Sequence, residues 1–414
     1  MPSSLKFSLA VPVTFPRHAF DDDALVARLQ KLKEYIYDIN VTCRVEPFRV
    51  DALGVIVDPM HSQMHIRDAL RVQSRSGVTV SGLFNNIYVP PTKENLELFV
   101  KGLAPLYGAG LRSITIPHTL WMKFGLLQRE FPELRIKSTV LRRVRSGQDF
   151  WNLAEAGFDY VMIDRLVMRD RHTLELIRAA QLAFHERDGK KVMLAALAGE
   201  SRCRGDCPFW EEHYQHTMTH PDADTLSGCD TRFNVPPNYS CNRFGNVFSA
   251  PILPPFREDF AEVAALIDVV KFNGRPEDHT QVWLDLIDEV VHGAGPVIGS
   301  IAQQYPGRLE GYQKWSCAGL VDAWRHATRT CGFQCWRCRL CFDLLHAVSE
   351  ELTQAKRKGE AVRRLLAQHT TEVTRGDASR PTTTQSAAGG VPRSGDPTGA
   401  PVPGPRRRKV PRSR

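Results

Sequence analysis

The chain has 414 residues, 42% of them hydrophobic, enough for one large domain or two smaller ones with a substantial core. Its net charge of +8 is unevenly spread. Residues 375–414 hold nine Arg or Lys and two Asp, 9 − 2 = +7, so the rest is close to neutral, which favours a small aromatic or peptide substrate over RNA. The N-terminal apolar run is broken by Pro12 and Pro16 and lacks a small-residue cleavage site, so no secretory signal is expected. No apolar stretch approaches the roughly eighteen residues of a membrane span, and a cytoplasmic protein is expected. In that compartment its ten cysteines point to metal ligands, redox groups or buried thiols rather than disulfides.

In chain order the sequence alternates strand and helix patterns. LKFSLAVPV is followed by DDDALVARLQKLKEYI, whose Leu25, Leu29, Leu32 and Ile36 fall at helical spacing behind an acidic first turn. The same pairing recurs with YDINVTCRV and HSQMHIRDALRVQSRSG, then VTVSGLFNNIYV and PTKENLELFVKGLAPLYGAG, then SITIP and HTLWMKFGLLQREFP. RIKSTVL precedes SGQDFWNLAEAG, YVMIDRL precedes DRHTLELIRAAQLAFHERDG, KKVMLAALAGE precedes a cysteine-rich stretch, and IDVVKFNG precedes HTQVWLDLIDEVVHG. Eight such units predict an α/β fold, a (β/α)8 TIM-like barrel over residues 5–295. An open doubly wound sheet is the alternative, but no Gly-rich phosphate loop follows the first strand.

In a barrel, active sites are built from the loops that follow the strands. Several predicted strand ends are polar: Cys43 and Arg44, Asn85 and Asn86, His118, Ser138 and Thr139, Asp164 and Arg165, and Lys271, Asn273 and Arg275. The stretch 199–241 after the seventh strand is polar and irregular, and it carries Cys203, Cys207, Cys229 and Cys241. Thiolates select zinc or iron–sulfur clusters over hard cations. The spacing C-x3-C-x21-C-x11-C lacks the paired short knuckles of zinc ribbons and so favours a cluster; the plainer alternative makes Cys229 and Cys241 ordinary loop thiols. His213, His216 and His220 read as a solvated helix face more than as ligands.

The run AGESRCRGDCPFWEEHY after a strand, the later APILPPFREDF and the stretch IDVVKFNGR together resemble the peptidase U32, or collagenase-like, family. NNIYVPPTKENLELF, FPELRIKSTV and GFDYVMIDRLVMRD resemble the same family's strand–helix junctions, so that the similarity spans residues 5–295. Its most specific parts are Cys203 with Cys207 and Lys271-x-x-Gly274-Arg275. The resemblance implies a 4Fe-4S protein more than a protease, since members of that type hydroxylate ubiquinone precursors without oxygen, or a pyrimidine in transfer or ribosomal RNA. Carried over by position, Cys203 and Cys207 match cluster ligands, whereas Cys229 and Cys241 follow at wider spacing. A U32-type peptidase is the alternative. No GxSxG elbow, HExxH site or local Cys–His pairing supports it, and cysteines bound to iron would not serve as nucleophiles.

Residues 296–369 are expected to form a helical extension, with CGFQCWRCRLC placing Cys331, Cys335, Cys338 and Cys341 close together and Cys317 upstream. On a helix the first three share one face. Cys331-x3-Cys335-x2-Cys338 also has the spacing of a radical SAM cluster motif, but it follows the whole barrel instead of its first strand. A second cluster, a zinc knot or an accessory part of the first centre all remain open, so one or two 4Fe-4S clusters are expected, with zinc as the alternative at Cys331–Cys341. Residues 370–414 are rich in Pro, Gly, Ser and Thr and are predicted to be a disordered basic tail, whose RRRK cluster suits acidic partners or phosphate backbones.

Together these features predict a redox enzyme acting on a small-molecule, RNA or peptide substrate, with an electron donor or partner protein. Glu200 and Asp164 are its candidate acid/base groups, and Lys271 and Arg275 the groups that orient a carboxylate or phosphate. A non-catalytic electron-transfer or binding module is the remaining alternative.

Overall fold

A computed structural model of the chain describes residues 5–11, 23–49, 59–198, 257–272 and 280–293, together with residues 211, 212, 215, 219, 338 and 340. All of them belong to the first of two units, Met1–Thr370; the second, Thr371–Arg414, holds the basic tail and lies outside the described residues.

The eight expected strands all form: β1 (Lys6–Val11), β2 (Ile36–Thr42), β3 (Val80–Leu83), β4 (Ser113–Thr115), β5 (Arg135–Lys137), β6 (Tyr160–Met162), β7 (Met193–Ala198) and β8 (Val269–Phe272). Each pairs in parallel with the next, and β8 pairs with β1, which closes the barrel in sequence order. The open-sheet alternative is thereby excluded. Closure leaves no unpaired edge, and the strands that alternate with helices read as short apolar runs because both faces are covered.

The helices are α1 (Asp23–Leu32), α2 (Pro59–Ser76), α3 (Lys93–Gly108), α4 (Thr119–Lys123), α5 (Leu126–Glu130), α6 (Gly147–Glu155), α7 (Arg171–Asp188), α8 (Arg257–Val263) and α9 (Thr280–His292). Local chemistry sets several boundaries. Thr92 caps α3 by accepting from the Asn95 amide at 3.2 Å, and Asp170 caps α7 through the Thr173 amide at 3.2 Å. Gly189 closes α7 in the left-handed region at φ 66°, with its amide on the His185 carbonyl at 2.8 Å. The sequence HTLWMKFGLLQREFP, expected as one helix, is two, because Gly125 takes φ 63° between α4 and α5.

The outward faces of the strands pack on these helices. Phe7 of β1 stacks on Phe272 of β8 with centroids 5.7 Å apart, and Phe272 stacks on Trp283 of α9 at 4.6 Å. On the opposite side Phe48, Phe84, Phe99 and Trp121 form a second aromatic group, with Phe84 and Phe99 edge to face at 5.0 Å. Burying such rings is the main stabilising contribution, about 1.5–3 kcal/mol for a side chain of this kind. Among the described residues no helix is long and apolar enough to cross a membrane.

Candidate active site at the barrel axis

Side chains alternate along a strand, so every second residue of a barrel strand faces the axis. Such axial positions are usually filled by Val, Ile and Leu. Here β2 places Asp38 and Asn40 there, two residues apart on one face, with Ser8 of β1, Ser81 of β3, Ser113 and Thr115 of β4, Lys137 of β5, Tyr160 of β6 and Lys271 of β8. Register brings them to common levels: Ser8 lies opposite Asp38 on one side and Lys271 on the other, and Asn40 lies opposite Ser81.

Asp38 and Lys137 form an ion pair whose side chains are each 1% exposed. The Lys137 ammonium donates to Asp38 Oδ2 and, at 2.8 Å, to Asn40 Oδ1. The amide group of Asn40 donates in turn to Ser8 Oγ at 2.7 Å and to the Leu9 carbonyl at 2.9 Å, while the Ser8 hydroxyl donates to Asp38 Oδ1. Ser113 Oγ donates to Ser81 Oγ at 3.0 Å. Both carboxylate oxygens of Asp38 are thus satisfied. This is the condition under which a buried pair persists, because removing one partner of such a pair costs about 3–5 kcal/mol.

Three axial groups are left unsatisfied. Tyr160 Oη and Thr115 Oγ1 are buried without a hydrogen-bond partner among the described residues. Burial first, then Asp38 and Tyr37, push the Tyr160 phenol well above the ordinary tyrosine range, so it stays protonated. Its ring lies 5.3 Å from Lys137 Nζ and 5.6 Å from the stacked ring of Tyr37. The third is Lys271, which has no hydrogen bond or ion pair among the described residues. Burial pushes its amine down to about 7, the nearby Lys137 charge adds to this and Asp38 opposes it. Lys271 as a residue keeps partial exposure, so solvent screens some of that effect, and the direction is what matters chemically. Burial likewise lowers Lys137, with Asp38 acting against it.

The other predicted strand ends have local duties. Asp164 follows β6; its Oδ1 accepts from the Leu166 amide at 2.8 Å and its Oδ2 from Arg145 Nε at 2.8 Å, so it caps the short turn Arg165–Val167. Asn86 accepts from the Tyr88 amide at 2.9 Å, and Ser138 accepts from the Met162 amide at 3.0 Å. Thr139 caps the turn at Val140–Arg142. His118 sits against Trp121 at 4.5 Å and Phe48 at 5.8 Å, and burial, helped by Arg142, pushes its imidazole down to about 4. Cys43 is buried, its thiol directed at the Val41 carbonyl at 3.4 Å, and burial pushes it up to about 12, which makes it an inert core thiol.

Glu200, Arg275 and the cysteines Cys203, Cys207, Cys229, Cys241, Cys331, Cys335 and Cys341 lie outside the described residues, as do His213, His216 and His220; Cys338 is described, partly exposed and free of a disulfide. Among the described residues no group of three or more His, Cys, Asp or Glu is placed to hold a metal. One described residue of the cysteine-bearing stretch makes a contact at the rim. Glu211, four residues after Cys207, is ion-paired with Arg143 in the loop after β5, and its charge also acts on Tyr88 in the loop after β3.

Sequence reasoning based on strand ends overlooked Asp38, Asn40 and Lys137. The signal was present as polar residues at alternate positions of an otherwise apolar strand, Asp38 and Asn40 in YDINVT, and as a lysine inside RIKST.

No family model and no curated protein matches the chain. Among solved structures the U32 peptidase Mk0906 is 14% identical, covers 67% of this chain and 96% of its own, and has a TM-score of 0.43. A mutant O-GlcNAc hydrolase of Thermobaculum terrenum is 9% identical over 90% of this chain and 82% of its own, at a TM-score of 0.42. The aldolase QR15 is 14% identical over 48% of this chain and 80% of its own, at 0.30. Likeness at this level carries no argument about chemistry, and the functional reading rests on the chain's own residues.

Proposed function

We propose that the chain is an enzyme working at the C-terminal mouth of the barrel, of the iron–sulfur type that the U32 resemblance implies. Its reaction would be an oxygen-independent hydroxylation or related redox modification of a small aromatic, RNA or peptide substrate. The observation that carries the site is the charged network of Ser8, Asp38, Asn40 and Lys137 beside Lys271, which has no ion pair among the described residues, where a barrel interior is ordinarily apolar. Buried charge that does not serve packing is characteristic of functional sites.

The donor chemistry fits a 4Fe-4S group. Cys203 and Cys207, with Cys229 and Cys241, would hold it, and Cys331, Cys335, Cys338 and Cys341 a second cluster or a zinc ion. These are thiolate sets, and the first belongs to the segment that leaves β7 at Ala198 and whose Glu211 meets the rim at Arg143. Such a group, when bound, supplies single electrons.

The remaining duties fall to the chain's own groups. Asp38 and Asn40 hold the Lys137 ammonium in place, so a fixed positive charge faces the substrate without reorganisation. The Tyr160 hydroxyl, protonated and without an acceptor among the described residues, would serve as a donor to a substrate oxygen that reached the axis. Arg275 would grip a carboxylate or phosphate at the rim, and Glu200 would move protons there. Asp164 would act through the turn it caps and through Arg145.

Anaerobic iron and labile-sulfide analysis with EPR spectroscopy tests this. Equal iron and sulfide in the wild-type protein, lost on Cys203→Ala, is the expected result. Protein that never contains iron, or that keeps its full content after Cys203→Ala, would overturn the assignment. The same samples separate the U32-type peptidase reading, under which peptide cleavage persists after chelation and after Cys203→Ala.

A further inference from the structure

We propose that Lys271 is a nucleophilic amine that forms an iminium bond with a small 2-oxo acid entering the barrel mouth. The inference rests on the barrel axis as the site and does not require a cluster.

The geometry makes the case in three steps. Lys271 is the penultimate residue of β8 and faces the axis at the level of Ser8, which itself hydrogen-bonds Asp38. The carboxylate that would ordinarily neutralise an axial lysine is already occupied, since Asp38 is held by Lys137, Ser8 and Asn40. Among the described residues Lys271 is therefore left with no ion pair beside a second ammonium, and its neighbours across the strands are Ser8 of β1 and Leu197 of β7. Among the described residues the charged groups acting on it are Asp38 of β2 and Lys137 of β5. A lysine beside another cationic group, in a poorly solvated place, is the arrangement that frees an amine for attack on a carbonyl. The depressed amine described above agrees with it.

The charge balance selects the substrate class. Lys137 and an iminium at Lys271 together carry two positive charges against the single negative charge of Asp38. A carbonyl compound bearing its own carboxylate closes that balance, which a neutral ketone does not. In the step itself the free Lys271 amine attacks the carbonyl carbon and the C=O π pair moves to oxygen. That oxygen takes a proton from the Lys137 ammonium, the nitrogen returns one to the Lys137 amine, and the carbinolamine hydroxyl, protonated from solvent, leaves as water while the nitrogen lone pair forms the C=N bond. The net change consumes one proton and releases one water, with no oxidant or reductant.

The test uses the full-length protein with pyruvate as probe and cyanoborohydride to trap the iminium as a carboxyethyl-lysine, mapped by peptide mass spectrometry. At neutral pH Lys271 should be labelled on the order of a hundredfold faster than the exposed Lys31 and Lys93, whose ammonium groups are ion-paired with Asp288 and Glu97. Labelling of Lys271 should persist to lower pH than that of an ordinary lysine, and excess acetone in place of pyruvate should label far more slowly. Uniform labelling of all lysines, or none at Lys271, would overturn the proposal. The comparison is internal to the wild-type protein, so it does not depend on a variant that folds. Lys271 labelling in protein that contains no iron would support this inference while refuting the iron–sulfur reading; iron-loaded protein unlabelled at Lys271 would do the reverse.

Discussion

Replacing Lys137 by Met removes the ammonium but keeps an unbranched chain of similar volume. Asp38 then keeps its Oδ1 contacts with Ser8 and Asn40, while Oδ2 loses the ion pair with Lys137, and Asn40 Oδ1 loses its 2.8 Å donor. One uncompensated carboxylate in a site 1% exposed is worth about 3–5 kcal/mol, and the surviving Oδ1 contacts place the expected loss near the lower end, about 3 kcal/mol. That is a large share of the roughly 5–15 kcal/mol that a folded domain has in total. Removing both charges together, Lys137→Met with Asp38→Asn, should return most of the stability, because a pair replaced by neutral groups of similar volume is often tolerated. Urea denaturation followed by circular dichroism at pH 7 measures all three proteins. A loss under about 1 kcal/mol for Lys137→Met at pH 7, or a double variant less stable than the single one, would refute the reasoning.

Two further expectations come from other parts of the barrel. A Cβ at Gly102 of α3 would stand 2.6 Å from Val45 Cγ1, so Gly102→Ala should lower the melting temperature even though alanine favours a helix by about 1 kcal/mol, and adding Val45→Ala should restore it. His118 has a folded-state pKa of about 4, below its ordinary value, so its contribution to stability should be complete above about pH 6.5 and lost as pH falls through 4. Histidine-resolved NMR titration and the pH dependence of unfolding for His118→Phe check this; a His118 titrating near 6.5 in the folded protein would contradict it.

The fold was readable because strand and helix periodicities alternate cleanly, and each of the eight apolar runs became a barrel strand. Where the reading failed, the cause was local. The α4–α5 break depends on one backbone angle at Gly125, which a helical pattern such as LWMKFGLLQRE conceals. The axial network was harder to see for a different reason. Asp38 and Lys137 are ordinary strand residues until closure and register set them against each other, and nothing in either segment alone names its partner. Asp164 shows the opposite case: a conspicuous carboxylate at a strand end whose oxygens are absorbed by the turn it begins and by Arg145.

The axial ion pair also limits how the chain can be divided. Asp38 and Lys137 stand 99 positions apart, on β2 and β5, so a fragment ending after β4 would keep Asp38 and its contacts with Ser8 and Asn40 but lose its counter-ion. Symmetric barrels are often thought of as two joined halves, each able to stand alone. In this one the counter-ion of the N-terminal half is held by the C-terminal half, and neither half is electrically complete until the other has folded beside it.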